Sequence, residues 1–368
     1  MDAGSIHVVP GAALRGRPRE LEEVPMSIVG GLDIHRKQIT FDYVDTETGE
    51  ARRGQVCPAD REHLAKWLAR FTGQDAHFAM EGCTGWRYVA GEIIAAGLTP
   101  HLADPAETAH LRGPKRRAKT DRADARHQRM LLEQGRLPEC WIPPPHVLEC
   151  RALLETYLDL REQRTGWVQR IHAVLFRHGA PHIAGQRLGT AEGAAALQAA
   201  AARCSPAGQL QLAIAVQMLS VYDERLHQVR RQLLDQARHL RGAAELTARL
   251  YGVGPITGLA ITCWLGGAGR FSSARKAVRF AGLDITVYSS DGKRSPGRLS
   301  RQGPPVLRWC LYEAGKAHAR TGAPDHAYYA QVKERIDGKR AALSEARKII
   351  RQAAHILTGL GDDALAAC

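Results

Sequence analysis

The sequence lacks the paired cysteines that mark many structural zinc sites. Its eight cysteines stand at positions 57, 83, 140, 150, 204, 263, 310 and 368, and no two of them form a Cys-x-x-Cys pair. This spacing argues against a zinc site. A chain of 368 residues can bury a large core without disulfides, so we expect reduced thiols and a cytoplasmic location.

The sequence also lacks any long hydrophobic run. No segment approaches the roughly 20 apolar residues of a membrane-spanning helix, so we expect no membrane partner. Residues 1–25 are polar and have no apolar core of the kind that a signal peptide carries. Prolines and glycines interrupt any helix in this segment, which predicts a disordered leader with Met26 as an alternative start.

Acidic residues are in deficit. The chain has 51 Lys and Arg against 38 Asp and Glu, which gives a formal net charge of +13. Such an excess attracts phosphates and favours DNA or RNA as a partner, although charge alone is a weak signal. The hydrophobic fraction of 44% is ordinary, and the length suits two or three domains.

The first part of the folded chain, about residues 26–140, has the order of an α/β domain. A three-strand meander precedes alternating helices and strands, and this order predicts an RNase H-like fold. The predicted strands cover 27–33, 38–44, 51–57, 76–80 and 98–103, with helices near 59–72 and 85–96. A basic, loop-like stretch at 105–119 follows, and then a helix from the N-cap Thr120 to about Gln134.

The middle of the chain, about residues 146–245, is predicted to be helical. Two long helices cover 146–178 and 207–241, and a shorter one covers 191–202. The second long helix carries leucines at a spacing of seven, which is consistent with a coiled coil. The pattern leaves open whether the helices form an antiparallel hairpin within one chain or a dimer interface. The leucines are Leu219, Leu226, Leu233 and Leu240.

The last part of the chain is predicted to be mainly α-helical. We assign 246–340 to a C-terminal domain and 341–368 to a final helix and tail. Helices are expected up to Leu265, over 274–283, from about Pro304 to 318 and over 325–358, around a polar stretch at 284–303.

Four acidic residues stand where a two-metal site would need them. Asp33 ends the first strand and Glu81 ends a later one, while Asp121 and Asp124 lie three apart and share one helix face. Mg²⁺ prefers oxygen ligands, and two ions can stabilise the attacking and the leaving oxygen of a phosphodiester. Each acid also has a simpler explanation, either as a turn residue or as a helix-start residue favoured by the helix dipole.

Basic residues surround the pair on the predicted helix. Carboxylates within such a run suit a site that takes in phosphates, although a solvated charged face is the alternative. On this basis Arg116, Arg117, Lys119 and Arg122 are candidate nucleic-acid-binding residues.

The acidic motifs resemble those of a known family. The segments GLDIHR at 31–36, MEGCTGW at 80–86 and KTDRADA at 119–125 look like the DEDD motifs of the IS110 family of insertion-sequence transposases. The N-terminal domain of that family resembles the Holliday-junction resolvase RuvC. The resemblance continues through YGVGPITGLAI, FAGLD and GPPVLRWCLYEA, and so covers the chain from Met26 to about 320.

The resemblance implies a DNA transposase or recombinase with a metal site. Asp33, Glu81, Asp121 and Asp124 would hold Mg²⁺, as two ions, with Mn²⁺ as a substitute. The family can also be directed by a structured RNA encoded next to its gene, which implies RNA as a second partner. The helical region would join the chains into a dimer or tetramer.

The resemblance also singles out two segments of the C-terminal part. GVGPIT at 252–257 resembles a helix-hairpin-helix turn, in which Gly252 and Gly254 would let backbone N–H groups approach a phosphate; a tight packing turn is the alternative. In 281–303 the matching serine, Ser290 with Ser289 as the alternative, is implied to be a nucleophile. A flexible polar loop is the other interpretation. Four basic residues are candidates for contacts with the DNA phosphates around it, namely Lys293, Arg294, Arg298 and Arg301.

Two other functions remain open from the sequence. A RuvC-like nuclease would cut by metal-activated water without a covalent intermediate. A non-catalytic nucleic-acid-binding protein would use the hairpin and the helical region alone.

Overall fold

A computed structural model describes residues 26–112, 120–286 and 297–366, with the backbone of two short strands at 288–290 and 293–295. The predicted leader at 1–25 lies outside the described residues. The chain divides into two compact units. One comprises the residues up to Pro143 together with Ala268–Pro305, and the other comprises Pro144–Gly267 with Val306–Cys368. The division after Pro143 falls between the predicted regions 26–140 and 146–245, and the other domain bounds stay a prediction.

The first unit is built on a mixed six-stranded sheet with the order β3-β2-β1-β4-β5-β6. The first three strands form an antiparallel meander, β4 and β5 run parallel to β1, and β6 is antiparallel to β5. This arrangement is consistent with the predicted RNase H-like α/β domain. The strands are β1 (Ile28–Ile34), β2 (Ile39–Asp45), β3 (Ala51–Val56), β4 (Ala76–Glu81), β5 (Thr99–Ala103) and β6 (Glu139–Cys140).

Four helices accompany the sheet. They are α1 (Arg61–Leu68), α2 (Trp86–Ala95), α3 (Pro105–Leu111) and α4 (Asp121–Glu133). The third helix corrects the prediction of a loop over 105–119. Asp104 caps it by accepting a hydrogen bond from the Glu107 amide at 2.8 Å, and Pro105 occupies its first turn.

The central strand β1 is packed closely on both faces because it carries two adjacent glycines. A Cβ at Gly30 would overlap the Phe78 ring on one face. A Cβ at Gly31 would overlap the Ala125 carbonyl oxygen and approach the Arg129 amide nitrogen to 2.5 Å, both in α4. The glycine at 31 therefore lets the backbone of α4 lie directly on the strand.

Aromatic side chains form the core on the Gly30 face. The Phe41 and Trp67 ring centroids are 4.7 Å apart, and those of Trp67 and Phe78 are 5.3 Å apart at 61°. The Trp67–Phe78 contact is edge-to-face, and such contacts add to the hydrophobic gain from burial. They hold α1 against one face of the sheet.

A buried ion pair secures α4 to the opposite face. Arg129 donates from Nε to Asp42 Oδ1 at 2.5 Å, and Asp42 is only 1% exposed. Arg53 donates to the other carboxylate oxygen of Asp42 at 2.6 Å. Removing one partner of such a pair leaves a buried charge, which costs about 3–5 kcal/mol.

The remainder of the first unit is short. It contains α10 (Ala274–Phe280) and a two-stranded antiparallel hairpin of β7 (Tyr288–Ser290) and β8 (Lys293–Ser295). The flanking chain continues the hairpin, because Thr286 donates its amide to the Arg298 carbonyl at 2.8 Å. Strands were not predicted within the polar stretch at 284–303.

The second unit is helical. It contains α5 (Pro145–Arg177), α6 (Ala191–Ala201), α7 (Pro206–His239), α8 (Arg241–Arg249), α9 (Pro255–Leu265), α11 (Pro305–Lys316), α12 (His326–Arg335) and α13 (Gly338–Leu360). No helix in the described part of the chain is both long and apolar enough to cross a membrane.

The two long helices α5 and α7 pack side by side within one chain. Arg164 pairs with Asp223 at 2.5 Å, and the Cys150 thiol lies 3.7 Å from Gln236 Oε1. The contact earlier in α5 is made to a residue later in α7, so the two helices run antiparallel. The leucines of the predicted seven-residue repeat are all buried, namely Leu219, Leu226, Leu233 and Leu240.

The last predicted helix, 325–358, is two helices. Asp337 separates them and caps α13 by accepting the Arg340 amide at 2.8 Å. The Tyr329 hydroxyl donates to the Gly338 carbonyl at 3.1 Å and holds the corner. The cap and the corner explain why the periodic pattern does not continue as one helix.

The close approach at Gly31 is tested by Gly31→Ala. We expect overpacking to destabilise the contact between α4 and β1 by about 1–3 kcal/mol. Hydrogen exchange of the α4 amides measures this directly, since each 1.4 kcal/mol is about tenfold in protection.

The matched control is Gly91→Ala, at an exposed helical glycine with nothing within 4 Å of the added Cβ. It is expected to be neutral or stabilising by about 0.5–1 kcal/mol. Equal protection of α4 in both variants would contradict the packing argument.

Candidate active site

Asp33 lies near the end of the central strand, on the face that α4 covers. Side chains alternate along a strand, so Asp33 shares the face of Gly31. Its side chain is 20% exposed. Asp33 lies two residues after Gly31, where the backbone of α4 contacts the strand, and its side chain is therefore placed beside the start of α4.

Glu81 ends the neighbouring parallel strand. Its predecessor Met80 pairs with Leu32 in register, so Glu81 is placed beside Asp33 on the same sheet face. Gln128 of α4 donates from Nε2 to Glu81 Oε1 at 2.7 Å. Glu81 thereby connects the sheet with the helix.

Asp121 and Asp124 lie in the first turn of α4. Thr120 is the N-cap, as predicted, and its hydroxyl accepts the Ala123 amide at 3.2 Å. Asp124 is 15% exposed and Asp121 is 43% exposed. The structure brings both acids to the end of the sheet that carries Asp33 and Glu81.

His35 is a member of this cluster that the sequence reasoning missed. Its Nε2 lies 3.1 Å from Asp33 Oδ2 and 3.5 Å from Asp121 Oδ1. One ligand atom from each of these three residues lies within 4.8 Å of the others, a grouping that could hold a metal ion. The spacing of two from Asp33 at a strand end was the available signal.

Arg112 belongs to the basic run around the acid pair, but its contact with the acids was not predicted. Its guanidinium donates from Nη1 to Asp124 Oδ1 at 2.5 Å, and Nη2 lies 3.4 Å from Glu81 Oε1. It follows directly on α3, the helix that was predicted to be a loop. No local spacing connects Arg112 with either acid, so the sequence carried no signal for this contact.

The acids perturb one another. Burial raises the pKa of Asp33 above its ordinary value, the charges of Asp124 and Asp121 raise it further, and His35 opposes the rise. Burial also raises the pKa of the neighbouring Cys83 thiol, with Asp33 and Glu81 adding to the effect. An excess of crowded carboxylates is the environment that a divalent cation relieves. The oxygen donors fit such an ion.

The predicted basic residues are only partly described. Arg122 is exposed on α4, and Arg298 is exposed beside the hairpin. Arg301 has a left-handed backbone with φ of 55°. Arg116, Arg117 and Lys119 lie outside the described residues, so their role in nucleic-acid binding stays a prediction.

The two candidate serines lie on β7. In backbone register, Ser289 pairs with Arg294 and Ser290 pairs with Lys293. The hairpin belongs to the same compact unit as the acidic residues. The positions of these four side chains lie outside the described part of the chain, so the choice between the serines stays open.

The glycines of the predicted helix-hairpin-helix turn differ from each other. Gly252 has a φ of 79°, and a Cβ there would lie 2.6 Å from the Ala314 carbonyl oxygen. Tight packing therefore accounts for Gly252 by itself. Gly254 precedes α9 and has no atom within 4 Å of an added Cβ. Contact of this turn with a phosphate remains a prediction.

Comparisons with known proteins match both parts of the chain. Residues 30–179 match the family of DEDD transposases named after IS110, described as "Transposase", and this range spans the four acids. Residues 244–330 match the family described as "Transposase IS116/IS110/IS902 family" and span the two glycines and the serines. The chain is also 27% identical over 252 residues to a "Probable family 20 transposase" of Pseudomonas aeruginosa, across 66% of this chain and 71% of that protein.

The fold, the acidic sheet edge and these matches define a transposase of the DEDD class. More narrowly, the chain belongs to the IS110/IS116/IS902 family of transposases. Membership of a DEDD family implies dependence on a divalent metal ion, which the cluster of acids accommodates.

The crowding of the acids predicts a gain in stability when one is neutralised. A carboxyl whose pKa is raised by folding destabilises the native state once it ionises, so stability is lost as pH rises above the unfolded value. In the absence of divalent metal, Asp33→Asn should therefore raise the Tm at pH 7. The gain should vanish below about pH 4, where the unfolded acid is also protonated.

Asp45→Asn is the control in this thermal melt, because the pKa of Asp45 is shifted in the opposite direction. Backbone hydrogen bonds from Thr48 and Glu47 lower the pKa of Asp45, so its replacement should not stabilise the protein. A lower Tm for Asp33→Asn than for the wild type at pH 7 would refute the crowding argument.

Proposed function

We propose that this protein cuts and rejoins DNA as the transposase of an insertion sequence, with a Mg²⁺ site and a serine nucleophile. The observation that carries the proposal is the convergence of acids from β1, β4 and α4 at one end of the sheet. The family supports DNA transposase activity, and strand transfer and the residue roles below are inferred.

Asp33, Glu81, Asp121 and Asp124 would hold two Mg²⁺ ions, with Mn²⁺ as a substitute. Such ions, when bound, stabilise charge on the attacking and leaving oxygens of a phosphodiester. The protein's own contribution is orientation. Gln38 donates to Asp121 Oδ2 at 3.2 Å, and Gln128 directs Glu81, so these carboxylates are held by the fold before a metal arrives.

The serine would act by exchange of phosphoesters. Its hydroxyl oxygen forms a bond to the scissile phosphorus, the bond to one DNA strand breaks, and the released strand end leaves as a hydroxyl with the proton. Attack by another strand's hydroxyl reverses these changes and returns the serine. Because one phosphoester replaces another, rejoining needs no external energy source. Ser290 is the preferred nucleophile by its spacing after Leu283, with Ser289 as the alternative.

Basic residues would position the nucleic acid. Lys293 and Arg294 are the backbone partners of the two serines in the hairpin register, which supports a role near the scissile phosphate. The remaining candidates for backbone contacts are Arg116, Arg117, Lys119, Arg122, Arg298 and Arg301, with the turn at Gly252 and Gly254. A structured RNA from the element is proposed as a guide that pairs with DNA; failure of the protein to retain such a transcript would contradict this part.

The helical region would join chains into a dimer or tetramer. Its hairpin carries exposed apolar side chains, with Phe176 88% and Leu210 62% exposed, together with Ile214 and Val221. Exposed apolar groups on a helical hairpin support contact with a second copy. A monomeric mass by light scattering at micromolar concentration would contradict this part of the proposal.

The chemistry is tested by a search for a covalent protein–DNA adduct on a denaturing gel. The reaction contains Mg²⁺, DNA with the element's own flanks and RNA transcribed from those flanks. We expect wild type to form an adduct that Ser290→Ala and Asp33→Asn both abolish, because each removes a group needed for phosphoryl transfer.

Ser289→Ala is the matched control and should retain the adduct. Retention in Ser290→Ala with loss in Ser289→Ala would move the nucleophile by one residue. Strand cleavage without any adduct would contradict the serine mechanism and favour a RuvC-like nuclease that uses water.

A further inference from the structure

A second cluster of potential metal ligands lies in the helical unit, apart from the acids of the sheet. His318 sits in a short 3-10 helix after α11, Asp325 is the N-cap residue of α12, and Glu345 lies in α13. One ligand atom from each lies within 4.8 Å of the other two. Three separate segments of the chain therefore meet at this point.

The imidazole of His318 is buried without a hydrogen bond. The residue is 4% exposed, and both ring nitrogens lack a hydrogen-bond partner in the structure. Nδ1 points towards Glu345 Oε2 at 3.9 Å, and Tyr251 packs edge-on against the ring, with centroids 5.1 Å apart. Buried polar atoms in native proteins almost always have partners, so two unpartnered ring nitrogens call for an explanation.

Glu345 also has a buried polar atom without a hydrogen-bond partner. It is fully buried, and its Oε2 also lacks a hydrogen-bond partner. Burial raises its pKa, while Lys348 and His318 oppose the rise. One carboxylate oxygen and one imidazole nitrogen, neither of them hydrogen-bonded, thus face each other inside the protein.

Lys348 neutralises only one side of the cluster. Its Nζ lies 3.4 Å from Glu345 Oε1 and 3.7 Å from Asp325 Oδ2, and it packs 3.4 Å from the centre of the Tyr328 ring. The ammonium makes no hydrogen bond to Glu345 Oε2 or to either ring nitrogen of His318, so these three atoms stay without a partner.

We propose that His318, Asp325 and Glu345 form a binding site for one divalent transition-metal ion, with Zn²⁺ as the preferred class. Zn²⁺ binds imidazole nitrogen and carboxylate oxygen at about 2.0–2.2 Å, so two ligands of one tetrahedral ion lie roughly 3.3–3.6 Å apart. The separation of 3.9 Å between His318 Nδ1 and Glu345 Oε2 is slightly longer than this, so the two side chains would close on the ion when it binds. One ligand atom of Asp325 lies within 4.8 Å of both, which makes it the third protein ligand.

The donor set selects the kind of ion. A neutral imidazole favours Zn²⁺, Co²⁺ or Ni²⁺ over Mg²⁺, which binds through oxygen and retains its water. The ion would connect α12, α13 and the segment after α11, so its role is to fasten these helices together. The site contains no cysteine, and the cysteine spacing therefore gave no indication of it.

The test is equilibrium binding of Zn²⁺ to the full-length protein after chelation. The protein carries Asp33→Asn and Asp124→Asn in every sample, so that Zn²⁺ bound by the acids of the sheet does not add to the measured stoichiometry. This double variant is the background for the variants below. We expect one equivalent of Zn²⁺ to bind and Co²⁺ to give the visible absorption of a nitrogen-ligated site. His318→Gln should weaken Zn²⁺ binding by more than about 100-fold, since losing a ligand exceeds the usual effect of losing its outer support.

Two further variants complete the test. His355→Ala, at an exposed histidine of α13, should bind Zn²⁺ as the background does. Lys348→Met should bind Zn²⁺ more tightly, because it removes the charge that competes for Glu345 and Asp325; a gain cannot arise from misfolding. Equal Zn²⁺ affinity in His318→Gln and His355→Ala, or no tightening in Lys348→Met, would overturn the proposal.

Discussion

The close contact between helix α4 and the central strand is the constraint on which the acidic site depends. Gly31 has no side chain, so the backbone of α4 at Ala125 and Arg129 can lie against the strand. Arg129 then reaches the buried Asp42 on the next strand and fixes the helix in position. The first turn of α4 is thereby brought to Asp33, two residues after Gly31. Any larger residue at 31 would move Asp121 and Asp124 away from the sheet.

This packing creates an electrostatic conflict that the fold resolves in part. The pKa of Asp33 is raised because burial and the neighbouring acids disfavour its charge. Arg112 supplies positive charge to Asp124 and Glu81, and His35 lies between Asp33 and Asp121. Native proteins retain such repulsion mainly where function requires it, and here a divalent ion would relieve it. Repulsion between the acids lowers the free energy of unfolding, and this loss is consistent with the requirement of a DEDD transposase for metal.

The sequence predicted what local patterns determine. Alternating strands, the Thr120 cap and the spacing of Asp121 and Asp124 follow from local patterns; the cap lies as predicted and β1 to β5 lie within one residue of their predicted bounds, whereas the two-residue β6 was not predicted. Helix α3 was mistaken for a loop because its seven residues were grouped with the basic run that begins at Arg112. The hairpin of β7 and β8 was missed because its strands are only three residues long. His35 had a spacing that indicated its position, whereas the contacts of Arg112 and the cluster at His318 depend on tertiary packing, which no single sequence pattern encodes.

The most direct test of the central claim is affinity cleavage of the protein itself by bound Fe²⁺. With ascorbate and peroxide, a bound ferrous ion generates hydroxyl radicals that cut the nearest backbone. The convergence of the four acids predicts cuts at three separated places, near residue 33, near residue 81 and across 121–124, and their joint loss in Asp33→Asn. Cleavage confined to one of these segments, or unchanged by Asp33→Asn, would contradict a single metal site at the end of the sheet.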